Sequence, residues 1–221
     1  MDGLGALFGL VAGFAAGAGA RLLLARLDRG ARVRFPLCEC AVGGLWALAC
    51  AVPAPLWWLP VQLAVAWFAV ALTVVDLRHS CLPDALTLPA YPAAGLLLLP
   101  AALSGPGPPL AVRALCGAVV FLAVHAVVRA VSPAALGAGD VKLSGSLGAV
   151  AGAVEWIALP VVVVLAAVIT AIVGALSPRS HRHREGGDSV PHGPGLLLAT
   201  LVLTLVPPSG QALALAGVPQ G

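Results

Sequence analysis

An all-α, polytopic bundle of transmembrane helices with about eight spans is the fold class this sequence predicts. Three observations predict it. Of the 221 residues, 60% are hydrophobic and only 10% are charged, with a mean hydropathy of +1.02. A soluble domain carries roughly 45–50% apolar and about 25% charged residues. The apolar residues also come in runs close to the roughly 20 that a helical span needs, without the two-residue alternation of a membrane barrel. Finally, the basic residues sit between the runs, on alternate connections. Disorder is excluded, because it requires low hydrophobicity and high charge. Eight spans of about 20 residues leave only short connections, so the chain reads as one integral-membrane domain, 1–221.

The eight segments fall at 3–24, 37–53, 56–75, 85–103, 110–131, 141–154, 157–177 and 194–216. The first has an acidic residue and no basic one before it, so it reads as a span rather than a removed signal peptide. The second is short and opens with Glu39, whose charge suits the positive end of a helix; a structural role is expected for it. The third runs up to Asp76. The fourth opens with Asp84 after Pro83, an N-cap position by residue type. The fifth carries His125, read as a hydrogen-bonded interior residue. The sixth is short and follows Gly137-Ala138-Gly139-Asp140. Two glycines before a short span suggest irregular backbone, which membrane interiors tolerate only inside a bundle or beside a water-filled cavity. The seventh leads into a polar stretch, 178–193, expected to be a cytoplasmic loop. The eighth closes the bundle. No internal repeat of the kind found in inverted-repeat transporters is visible.

Charge orients the bundle. The odd-numbered connections hold 11 of the 12 basic residues, and only Arg113 falls on the other side. The positive-inside bias then places the odd connections in the cytoplasm. No stripe of basic residues suggests nucleic acid. The five cysteines, at 38, 40, 50, 81 and 116, form no C-x-x-C pair, so neither a metal site nor a disulfide framework is expected. His181, His183 and His192 lie in a Gly-rich stretch without a fixed geometry, and a metal reading is rejected.

Ionisable residues at or within spans are the candidates for chemistry. Asp76 places a carboxylate at a helix C-terminus, against the macrodipole. Its bland reading is an ion pair with Arg78 or His79. Asp140 reads equally well as an N-cap and as a functional group. Glu185 and Asp188 read as solvated. Ser144 and Ser146 follow Asp140, but no His is placed to activate them, and no G-x-S-x-G, H-E-x-x-H or P-loop occurs. Two aspartates on different helices at the same inner face remain. Two close carboxylates can share one proton, so that one takes a proton from water while the other donates to a carbonyl. That chemistry requires no cofactor or metal. Adjacency of the two helices is an inference at this stage.

Four stretches then carry a resemblance. Asp76-Leu77-Arg78-His79 with Leu82-Pro83-Asp84, Gly137-Ala138-Gly139-Asp140-Val141-Lys142-Leu143, Arg34-Phe35-Pro36-Leu37 with Glu39, and Val190-Pro191-His192-Gly193-Pro194 together resemble the type IV prepilin leader peptidases, a family of G-x-G-D membrane aspartic proteases. The resemblance implies that Asp76 and Asp140 are the catalytic pair. It implies a pilin-like precursor as substrate, cut at the cytoplasmic face of the inner membrane, typically after Gly and ahead of the precursor's apolar helix. Longer members carry a cytoplasmic loop with paired C-x-x-C motifs linked to N-methylation. The connection from Ala25 to Pro36 has none, so a peptidase without methyl transfer is expected. Two other classes stand beside it: a proton- or cation-coupled small transporter, and a non-catalytic assembly partner of a pilus or secretion machine. Lys142 is left with three readings: a lipid-phosphate ligand, an orientation signal, or a tuner of Asp140.

Overall fold

The structure, a computed structural model, describes residues 3–27, 30–79, 82–133, 136–176 and 192–208. Among these the secondary structure is helical throughout: α1 (Gly3–Arg26), α2 (Leu37–Ala51), α3 (Leu59–His79), α4 (Asp84–Thr87), α5 (Ala90–Ser104), α6 (Pro108–Val131), α7 (Ala138–Val154), α8 (Ala158–Leu176) and α9 (Gly193–Thr204). Each expected apolar segment therefore meets a helix or a helix pair. Five units are long and apolar enough to cross a membrane: α1, α3, α4 with α5, α6 and α8. α2 and α9 are apolar but shorter, and about eight is an approximate count. The stretch 209–216 of the last segment, most of the polar stretch 178–193, and His181, His183, Glu185 and Asp188 lie outside the described residues.

The helices pack as neighbours along the chain, and the last one closes against three others. α1 lies on α2, α6 on α7, and α9 contacts α3, α7 and α8. Lipid gives no hydrophobic drive between helices, so small residues that let backbones approach do much of the work. A Cβ at Gly13 of α1 would lie 2.8 Å from the Gly43 Cα of α2. A Cβ at Gly117 of α6 would run into the Gly148 carbonyl of α7 and lie 2.9 Å from the Gly152 Cα. Indole and amide donors supply polar ties. Trp58 Nε1 and Gln62 Nε2, both on the α3 side, donate to the Thr204 carbonyl at 2.9 and 2.8 Å. They satisfy a carbonyl that the end of α9 leaves without a helical partner.

Three sequence expectations require correction. The short sixth segment is not irregular: α7 is a continuous helix from Ala138, and 12 of its 17 residues are buried. Its neighbours bury it, and its backbone does not break. The fourth segment divides into α4 and α5. Pro89 and Pro92 have no amide hydrogen and interrupt the ladder, although Leu88 keeps helical angles (φ −68°, ψ −42°). Asp84 is not an N-cap. Pro83 occupies that position, Asp84 is the first helical residue, and no side chain caps the turn.

Candidate active site

Asp76 lies in the last turn of α3, three residues before His79, and is 4% exposed. The helix continues past it far enough to bring Arg78 and His79 into the last turn. Their charge complements the dipole that the carboxylate opposes. Among the described residues Asp76 pairs with neither; His79 Nε2 instead lies 3.0 Å from the Gly30 carbonyl oxygen.

Asp140 is the third residue of α7, after Gly137 as N-cap, and is 7% exposed. The Gly137 N–H faces its carboxylate, the arrangement of the reciprocal half of a capping box. Asp140 is therefore not the N-cap expected of it, since Gly137 holds that position; its Oδ1 lies against Gly193 instead. The Arg129 Nη1 donates to the Leu136 carbonyl at 2.6 Å, tying the approach to Gly137 onto α6.

A third element brings the two carboxylates together. A Cβ on Gly193, the first residue of α9, would lie 2.7 Å from Asp76 Oδ2 and 3.0 Å from Asp140 Oδ1. Those two oxygens are thus no farther apart than the sum of these distances, 5.7 Å. The Gly193 N–H faces the Asp76 carboxyl. Asp76 Oδ2 is buried and has no hydrogen-bond partner among the described residues. A buried carboxylate oxygen close to a second carboxylate, with no hydrogen-bond partner among the described residues, is poorly explained as scaffolding. Two carboxyl groups within that 5.7 Å limit can hold a single proton between them.

The remaining candidates are engaged elsewhere. Lys142 Nζ donates to both Asp84 oxygens at 2.7 and 2.8 Å, tying α4 to α7. Glu39 accepts from Arg21 Nε at 2.6 Å and is buried in the first turn of α2, in keeping with its expected structural role. His125 Nδ1 lies 2.8 Å from the Phe121 carbonyl oxygen, the interior bond expected for it. Ser144 and Ser146 bond carbonyls of their own helix. Within Val190-Pro191-His192-Gly193-Pro194, the sequence by itself assigns Gly193 no contact. A glycine flanked by His192 and Pro194 ahead of an apolar run is the signal that could have flagged it.

A family model described as the type IV leader peptidase family matches residues 63–175, which include both aspartates. The chain belongs to that family. Similar curated proteins are each named prepilin leader peptidase/N-methyltransferase. The one from Aeromonas salmonicida (strain A449) is 33% identical over 178 residues, covering 78% of this chain and 58% of that protein. The one from Stutzerimonas stutzeri has the same identity and coverage. The one from Klebsiella pneumoniae is 39% identical over 134 residues, covering 60% of this chain and 57% of that protein. This chain therefore spans less than two thirds of the length of these relatives. No solved structure matches it. Family membership and the apolar helices together make it a multi-pass membrane protein.

Proposed function

We propose that this protein is a membrane aspartic endopeptidase that removes the N-terminal leader from type IV pilin-like precursors. The site faces the cytoplasm at the inner membrane. The observation that carries the reading is the convergence of the Asp76 and Asp140 oxygens, within 5.7 Å of each other, on Gly193. Family membership and the names of the relatives support the substrate class. The crowding of basic residues onto the connections at the aspartate end supports the cytoplasmic placement.

The chemistry follows from one shared proton. The ionised carboxylate takes a proton from a water molecule, and the water oxygen attacks the scissile carbonyl carbon. The protonated carboxylate donates to the carbonyl oxygen as it gains charge. Collapse of the tetrahedral intermediate breaks the C–N bond. As that bond breaks, one carboxyl gives its proton to the departing amine while the other carboxylate takes a hydroxyl proton from the intermediate, so the pair ends with one proton, as it began. No metal or cofactor enters these steps. The short connection between α1 and α2 lacks cysteine pairs, which supports a peptidase that does not methylate the new terminus.

The test is to co-express the chain with a precursor that has a basic leader, a Gly and an apolar run, and to measure the mass of its N-terminus. Loss of the leader with an unmethylated new terminus is expected, and it persists when membranes are treated with EDTA. An intact precursor defeats the reading. A methylated product defeats its peptidase-only part.

A further inference from the structure

The start of α9, from His192 to Gly195, is held from two sides. On one side Gly193 closes against the two carboxylates. On the other stands α8. Thr170 Oγ1 lies 3.0 Å from His192 Nδ1. The same hydroxyl lies 2.5 Å, and the Ala166 carbonyl oxygen 2.7 Å, from the point that a Cβ on Gly195 would occupy. The first turn of α9 is therefore seated directly on α8, with Thr170 in contact at two points. Pro194, in the first helical turn, sets the backbone angle there without needing a donor.

Thr170, half-buried on α8, behaves differently from the buried hydroxyls of α7 and α9. Ser144 and Ser146 of α7, and Thr200 and Thr204 of α9, each bond a carbonyl three or four residues back in their own helix, the usual resort of a hydroxyl in a helix. Thr170 reaches instead to a side chain on the next element. Burial first, and nearby His125 second, push the imidazole it meets below the usual histidine pKa. His125 is itself fixed by the Phe121 carbonyl. A neutral ring makes one directional bond at Nδ1, whichever partner supplies the hydrogen.

We infer that the Thr170–His192 hydrogen bond is a positioning device that sets Gly193 against the Asp76–Asp140 pair. It acts through the backbone of residues 192 and 193 and does not touch the reacting atoms. The inference rests on the peptidase reading above. Displacement of a reacting group by about 1 Å can cost on the order of 100-fold in rate, so a loosened α9 start lowers turnover without weakening substrate binding.

The experiment measures kcat and KM for a purified pilin-like precursor with the full chain in detergent. Thr170→Val keeps the side-chain shape and removes the hydroxyl; Thr170→Ser keeps the hydroxyl and removes the methyl. His192→Phe and His192→Asn make the same comparison on the other partner. The expected result is a kcat about 10-fold lower in Thr170→Val and His192→Phe, with KM changed by less than about 2-fold. Thr170→Ser and His192→Asn stay near wild type. If the contact only packs α8 on α9, the order at position 170 reverses, and the inference falls. It also falls if Thr170→Val cleaves as fast as wild type while Asp76→Asn and Asp140→Asn are inactive, which leaves the catalytic pair standing. If either Asn variant still cleaves, the pair itself is wrong, and the positioning role goes with it.

Discussion

A single methyl group is enough to probe the site at the scale of residues. In Gly193→Ala the new carbon lies under 3.1 Å from an oxygen of each carboxylate. Overpacking of this kind costs about 1–3 kcal/mol, and it falls here on the groups that do the chemistry. We expect kcat/KM to drop by about 10-fold or more while the protein still inserts; wild-type cleavage by Gly193→Ala contradicts the geometry. The Lys142–Asp84 pair is different, because both side chains are about half exposed. Such pairs are worth about 0–1 kcal/mol, so Lys142→Gln shifts the melting temperature in detergent only slightly. A large loss of stability means the pair does more than tie α4 to α7. These contrasts also show what was legible at this scale. Asp76 stood out because its charge opposes a helix dipole. Asp140 could be narrowed only to cap or function; Gly137 takes the cap position, and the Asp140 carboxylate meets Gly193 as that of Asp76 does. Asp84 does not cap because Pro83 holds the N-cap position; the partner its carboxylate takes instead, Lys142, lies 58 residues away, and no local pattern announces that pair.

At the scale of elements, the packing of α6 on α7 is the joint to test, since α7 carries Asp140. Gly117→Leu forces a side chain into the α7 backbone beside Gly152. Gly44 and Gly95 sit in helices too, but a Cβ there meets nothing within 4 Å. We therefore expect Gly117→Leu to lose folded protein on size exclusion in detergent, while Gly44→Leu and Gly95→Leu elute as wild type. Equal behaviour of all three argues against close α6–α7 packing. The helices were readable because apolar runs bounded by charge and Pro leave few alternatives in lipid. The regularity of α7 was not readable. A short apolar segment looks the same whether its backbone is broken or whether its neighbours bury it on all sides, and only the surrounding helices decide between those cases.

For the whole molecule, the question is which way the bundle sits and what its paired ends do. The odd connections carry nearly all the positive charge, and Asp76, Asp140 and Gly193 lie at that same end. In a cysteine-free background, an impermeant maleimide added to intact cells is expected to label Ser104→Cys. Arg78→Cys is expected to react only after permeabilisation. Both positions are exposed, so the opposite pattern inverts the orientation and removes the site from the cytoplasm. A pair that works with one proton also gives a kcat/KM that falls on both the acid and the alkaline side. The most direct measurement is side-by-side cleavage of one precursor by reconstituted wild type, Asp76→Asn and Asp140→Asn, read as the mass of the precursor's N-terminus. Wild type should release the leader, and each variant should be slower by about 10²–10⁴-fold at equal insertion. Cleavage at the wild-type rate by either variant would contradict the two-carboxylate account, whatever the distance between the side chains.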